Sequence, residues 1–252
     1  MLNETTMSKL RNMKLQSFAD AFHDQLSDKN FEQMSFEDRF GLIVDIEWNR
    51  RETNRLMRLT KSAQLPMRNA CLEDLDFSTR SLDKNIIANL SACNYIFEQR
   101  NLLILGPTGG GKTFLATALG VAAVRKKLAV KYYRTPDLLT ELAIARGDGK
   151  SRSLIKQLAK IPLLILDEWL LFPSTENESR DIFDLIDYRK DFGAIILCSQ
   201  FDIKGWHAKL GEACVADAIC DRISAKSTTI KLEPAESMRR TMVNREAAQT
   251  TP

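Results

Sequence analysis

No Cys-x-x-Cys pair occurs in the 252 residues, and two histidines are too few to complete a zinc site around the five cysteines, Cys71, Cys93, Cys198, Cys214 and Cys220. Their odd number also makes a poor disulfide framework, so they read as reduced, mostly buried side chains. Long apolar runs are missing: IPLLIL and AIILC fall far short of a membrane span, and the first residues, MLNETTMSKLRN, hold no apolar stretch of the kind that directs export. The expectation is a cytoplasmic protein with no membrane partner. An excess of one sign of charge is missing as well. The 36 basic residues face 33 acidic ones, and a net charge of +3 does not by itself mark a nucleic-acid binder. Internal repeats and low-complexity tracts are absent too.

At 44% hydrophobic residues, a chain of this length can bury about three quarters of its unfolded surface, enough for one good-sized core with an appendage. Basic charge is concentrated locally. Within RRETNRLMRLTKSAQLPMR, Arg50, Arg51, Arg55, Arg58, Lys61 and Arg68 face the single acid Glu52, a stripe suited to DNA phosphates or, alternatively, to an acidic partner or plain solvent. A second basic cluster, Arg125, Lys126, Lys127 and Lys131, is the other place where such a contact could lie.

Met7, Leu10, Lys14, Phe18, Phe22 and Leu26 recur at spacings of three and four, which predicts a helix over 5–28. After a break at SDKN, SFED signals a new start. Ser35 can accept the amide of residue 38 and Asp38 can return the bond, and no Gly or Pro interrupts 42–65 until Pro66. Residues 1–66 therefore read as a helical amino-terminal region for DNA or partner binding, 67–98 as a linker with a leading helix over 83–97, 99–246 as the core, and 247–252 as a tail. In the core, short apolar strands alternate with helices: 101–105, 130–134, 163–167, 194–199 and 228–232, with helices at 112–126, from Pro136, and over 177–191 and 213–223. Five strands in that alternation predict an α/β fold, a five-stranded parallel sheet with helices on both faces. Thr135 is the expected cap of the helix that opens at Pro136.

Between the first strand and its helix stands GPTGGGKT, a phosphate-loop (Walker A) pattern in its proper strand-turn-helix context. The loop residues Gly106, Pro107, Thr108, Gly109, Gly110, Gly111, Lys112, Thr113 and Phe114 are the expected nucleotide contacts. Glycines let backbone amides converge on phosphate oxygens at a helix amino terminus. Lys112 is expected to bridge the β- and γ-phosphates of ATP, and Thr113 to hold Mg²⁺. LLILDEW ends a buried strand on two acids, a costly arrangement unless a cation meets them. Asp167 is the expected second metal residue and Glu168 the group that polarises the attacking water. Ser199 and Gln200 close the next strand and could reach the γ-phosphate, or could simply bond to backbone. Arg222, in DAICDRI, lies too far along to serve its own phosphate. It is expected either to act across an interface as an arginine finger or to form a surface salt bridge with Asp221 or Asp217.

Lysine loop, acid pair, polar strand end and arginine follow one another on consecutive strands and helices, which is similar to the AAA+ arrangement. That resemblance implies ATP held between subunits, hence a homo-oligomer. Many AAA+ proteins carry a helical lid after the last strand, but only twenty residues follow Leu232, so none is expected. A lidless core behind a helical region resembles the IstB-like transposition helper ATPases of insertion sequences, relatives of the DnaC helicase loaders. The residues that carry this likeness are EWNRRETNRLMRLTKSAQLP, LEDLDF, GPTGGGKTFLATALGVAA, CSQFDIKGWHAKLGEACVADAICDRI and SMRR, and it covers nearly the whole chain. Two departures stand out: Gln200 takes a place where many AAA+ proteins have Asn, and without a lid a second sensing arginine has to come from elsewhere, with Arg239 or Arg240 as candidates. The resemblance implies a DNA-stimulated ATPase (ATP and water to ADP and phosphate) that assembles with ATP on duplex DNA, deforms it and presents it to the transposase of the same element. A replicative helicase loader is the alternative within the fold, and a passive nucleic-acid binder with a structural nucleotide the alternative outside it.

Overall fold

A computed structural model describes residues 2–75 and 83–233. The chain divides into two compact units, Met1–Arg58 and Leu59–Pro252. In the first, α1 (Leu2–Asn12) and α2 (Gln16–Ser27) pair, where one helix was expected over 5–28. The reason is local: Lys14 adopts a left-handed backbone at φ 60°, which turns the chain although the apolar spacing runs on across it. Of the expected face, Met7, Leu10, Phe18 and Phe22 are half-buried and Leu26 is exposed. The helix α3 (Phe36–Ala63) starts as SFED predicts. The Asp38 amide donates to Ser35 Oγ at 3.1 Å, and that hydroxyl donates to Asp38 Oδ2 at 2.8 Å, so the acid's return bond goes to the hydroxyl. Phe40 anchors the unit's aromatic cluster, stacked on Phe36 and edge-on to Phe18.

In the second unit α4 (Lys84–Ser91) is capped by Asp83, whose carboxylate accepts the Asn85 amide at 2.7 Å. The leading helix expected over 83–97 stops there, because Cys93 turns left-handed at φ 62°, and the short α5 (Asn94–Phe97) follows. Five strands then alternate with helices: β1 (Asn101–Leu105), α6 (Lys112–Arg125), β2 (Val130–Arg134), α7 (Thr135–Gly147), α8 (Ser151–Ala159), β3 (Leu163–Asp167), α9 (Glu176–Arg189), β4 (Ala194–Ser199), α10 (Ile203–Lys209), α11 (Ala213–Ser224) and β5 (Ser227–Lys231). All pairings are parallel, in the order β2-β3-β4-β1-β5.

Alternate residues of the central strands enter opposite cores, as a sheet covered on both faces requires. Leu102, Ile104, Leu163, Ile165 and Ile196 pack with α4 and α6, whereas Leu103, Leu105, Leu164, Leu166 and Leu197 pack with α7, α8, α9 and α11. The buried Arg189 fastens the second layer: its guanidinium donates to Leu158 O at 2.6 Å and to Ala194 O at 2.7 Å, joining the end of α8 to the start of β4. Burial lowers its pKa to about 9. No described helix is long and apolar enough to cross a membrane. All five cysteines are free thiols; Cys93, Cys198 and Cys220 are buried and Cys214 is exposed. Asp76 and Phe77 of LEDLDF, and every residue after 233, lie outside the described residues, and with them Arg239, Arg240, SMRR and the expectation that no lid follows the last strand.

Candidate functional site

The sheet order brings the functional side chains together. Strand β4 separates β1 from β3, so the loop leaving β1 faces the carboxyl end of β3 across one strand, the crevice where open α/β sheets take ligands. A cleft there is lined by Thr108, Gly109, Lys112, Thr113, Asp167, Glu168, Trp169, Cys198 and Gln200.

The loop has the shape of a phosphate cradle. A Cβ at Gly106 would stand 2.6 Å from Leu232 O, and Gly111 sits at φ 90°, so neither position accepts a larger residue without strain. Gly111 also leaves α6 without a side-chain cap, so the first amides of a 14-residue helix face an incoming anion. Lys112 Nζ donates back to Gly106 O at 2.8 Å and Pro107 O at 2.9 Å, holding the ammonium at the loop it would neutralise when loaded.

Opposite the loop, Asp167 is 4% exposed and fully engaged. Thr113 Oγ1 donates to its Oδ2 at 2.6 Å, Tyr132 Oη donates to the same oxygen at 2.9 Å, and Oδ1 accepts the Glu168 amide at 2.8 Å. Burial, and after it the Asp167 carboxylate, push the Tyr132 phenol up, so it remains a donor. A hydroxyl and a carboxylate oxygen in contact at a phosphate loop are the hard donor set that Mg²⁺ prefers, so these residues fit the metal expected of them. Burial pushes the Cys198 thiol well up, leaving it inert beside them.

Glu168 takes a left-handed backbone at φ 54°, and Arg134 at the end of β2 clasps both of its carboxylate oxygens, with donor distances of 2.8–3.2 Å. The parallel register sets Arg134 beside Asp167, which places its guanidinium within reach of the next residue. Neither Tyr132 nor Arg134 was legible as a site residue, because β2 carries no motif and its neighbour is fixed only by the sheet order. The buried indole N–H of Trp169, without a hydrogen-bond partner among the described residues, borders the same cleft.

Two expectations are corrected. Ser199 does not line the cleft: its buried hydroxyl accepts from Trp206 Nε1 at 2.8 Å and the Phe201 amide at 3.1 Å, and donates to Trp169 O at 3.0 Å, which uses its full capacity. Gln200, one residue on, is the polar side chain that lines the cleft. Thr135 is not a cap but the first residue of α7, following Arg134 as cap, and its hydroxyl donates to Asp167 O at 2.8 Å.

Arg222 lies away from the cleft. It donates to Asp187 Oδ1 at 3.1 Å and to Ala218 O at 3.1 Å and stacks over Phe183, so its acidic partner is Asp187 and not Asp221 or Asp217; Asp217 pairs with His207. Of the basic stripe in the first unit, Arg50 and Arg51 both bond Glu47, at 2.8 and 2.6 Å, whereas Arg55 and Arg58 are exposed. In the second unit Lys61 and Arg68 are exposed, Arg125 donates to Cys71 Sγ, and Lys131 donates to Gln64 Oε1.

The solved structures this fold resembles include a DnaI structure (TM-score 0.58, 20% identity, 72% of this chain and 100% of that one) and AMPPCP-bound DnaA from Aquifex aeolicus (TM-score 0.59, 17% identity, 73% of this chain and 56% of that one). They share its AAA+ fold. Sequence relatives include the protein described as an ATP-binding protein of insertion sequence IS1162 from Pseudomonas fluorescens, 42% identical over 79% of this chain and 87% of its own. The insertion sequence ATP-binding protein y4pL of Sinorhizobium fredii is 37% identical over 95% of this chain and 98% of its own. The sequence model described as IstB-like ATP binding protein matches residues 8–247, and with the loop, acid pair and strand order above it establishes that the chain belongs to that family.

Proposed function

We propose that this chain is an ATPase of insertion-sequence transposition, which binds and hydrolyses ATP with Mg²⁺, assembles with copies of itself on duplex DNA, and delivers that DNA to the transposase of its element. The observation that carries the reading is the join of Thr113, Asp167 and Glu168 opposite a glycine-built phosphate loop. The relatives named for insertion sequences supply the transposition context.

Bound Mg²⁺ supplies charge neutralisation at the phosphates, and Thr113 and Asp167 are the residues that would hold it. Tyr132 keeps Asp167 oriented by donating to the same carboxylate oxygen that Thr113 bonds. Lys112 exchanges its two carbonyl partners for phosphate oxygens. Glu168 is the proton acceptor for water, a role that requires a free carboxylate oxygen and therefore release from Arg134. Gln200, which lines the cleft, is the side chain we assign to hold that water. The arginine that neutralises the transferred charge comes from a second copy, since Arg222 does not reach this cleft.

ATP turnover and sedimentation with duplex DNA test this reading. The protein should gain DNA affinity and form larger species with a non-hydrolysable ATP analogue, and Glu168→Gln should bind ATP but not turn it over. No assembly and no gain in affinity would overturn the DNA-assembly reading, and unchanged turnover in Glu168→Gln would overturn the assignment of the base. Lys112→Ala should abolish ATP binding. The helicase-loader reading rests on fold alone; retention of a helicase and not the transposase in a pull-down would favour it.

A further inference from the structure

Arg222 stands in the last turn of α11, which packs against α9. Phe183 and Asp187 lie one turn apart on α9, and Ala218 lies one turn before Arg222 on α11, so each helix presents its pair on one face and the four meet along the seam. Asp187 Oδ1 accepts from Arg222 Nε at 3.1 Å, Ala218 O accepts from Nη1 at 3.1 Å, and the guanidinium carbon lies 4.6 Å from the centre of the Phe183 ring. A guanidinium has five N–H groups, and the two on Nη2 have no hydrogen-bond partner among the described residues. The side chain is 33% exposed and borders a cavity of about 300 Å³.

An ion pair at a surface adds little to stability, and a single contact is enough to make one. Here a carboxylate, a carbonyl and an aromatic face hold one guanidinium on three sides, which fixes a long side chain that would otherwise sample many rotamers. A cation fixed before the reaction does not have to be ordered as charge develops on a phosphate, so the restraint favours catalysis more than folding. The charge balance fits the same use. Asp187 alone would repel a phosphate, but Lys190 stands 3.6 Å from the oxygen that Arg222 bonds, which sets two cations against one acid. Around the cavity Lys226 adds to that charge, while Asp191 and Asp221 oppose it.

We propose that Asp187 and Phe183 are positioning residues for ATP hydrolysis in a second copy: they hold Arg222 in advance, so that its unpaired Nη2 meets the γ-phosphate bound by that copy. This role rests on the reading that Arg222 serves a second copy's ATP, and it names the groups that aim the arginine. Asp187 fixes the Nε edge, Phe183 fixes the plane, and Lys190 keeps the assembly cationic as the phosphate approaches. Neither Asp187 nor Phe183 touches the nucleotide. Both act through Arg222.

The test places Asp187→Ala in one copy at a time. Full-length Lys112→Ala, which offers its arginine but takes no ATP, is mixed with full-length Arg222→Ala, which takes ATP but offers no arginine, and phosphate release is followed with duplex DNA present. Asp187→Ala added to the Lys112→Ala chain should cut the regained turnover by about ten- to a hundredfold, the scale of a misplaced catalytic group. The same change added to the Arg222→Ala chain should leave the regained turnover as it was, which also shows that the altered chain folds. Equal turnover in the two mixtures would overturn the proposal: equally kept, Asp187 does nothing for Arg222; equally lost, it serves the fold. A starting mixture that regains no turnover would instead overturn the second-copy reading of Arg222, and this role with it.

Discussion

At the scale of single residues, the site depends on which groups are already spoken for. Ser199 spends its hydroxyl on the two tryptophans and a backbone amide, so Ser199→Ala leaves a buried indole N–H and a carbonyl unpaired. It should cost about 1–3 kcal/mol of stability in denaturant unfolding and leave ATP affinity unchanged. Arg134 holds both oxygens of Glu168, the proposed base, so Arg134→Ala should raise ATP turnover in the absence of DNA while leaving ATP affinity as it was. A fall in basal turnover, measured by phosphate release, would make Arg134 an orienting partner instead of a restraint. The sequence pattern showed the loop and the acid pair plainly, because backbone amides, lysine, hydroxyl and carboxylate must occur at fixed spacing to hold a phosphate. It did not show Tyr132 or Arg134. Their role depends on β2 lying beside β3, and strand neighbours follow from packing and not from local spacing. Nor could it show that the side chain of Ser199 turns inward while that of Gln200 turns to the cleft.

Among elements, the strands were legible within a residue or so, since each is a short run between helices, near-continuously apolar in β1, β3 and β4. The breaks were not. Lys14 and Cys93 turn the chain left-handed without a glycine, and the apolar spacing continues through both, so two helices read as one. The helix α3 also distributes its charges in a way that counting cannot reveal. Glu47 holds Arg50 and Arg51, and their guanidinium groups, Arg50 first, lower its pKa to about 2. A depressed carboxylate pKa stabilises the fold above the ordinary carboxylate range and loses that contribution as pH falls through the folded value. Glu47→Gln should therefore melt below the parent protein at pH 7, and the gap should narrow between about pH 4.5 and pH 2. Thermal melts followed by circular dichroism at those pH values check it, and a gap independent of pH would mean that Glu47 stabilises α3 by something other than its charge.

For the whole molecule, the decisive fact is that Arg222 and the cleft do not meet within one copy. A phosphate loop and the residues proposed to hold Mg²⁺ and to act as base stand together, while Arg222, the arginine proposed for the transferred charge, stacks on Phe183 and bonds Asp187. The central claim is that a second copy completes the site. Mixing two inactive variants tests this most directly: Lys112→Ala keeps its arginine but cannot take ATP, and Arg222→Ala takes ATP but lacks the arginine. With duplex DNA present, each alone should hydrolyse ATP poorly, and the mixture should regain turnover well beyond the sum of the two. Turnover of the mixture no greater than that sum, or an Arg222→Ala protein that hydrolyses ATP at the parent rate, would contradict the account.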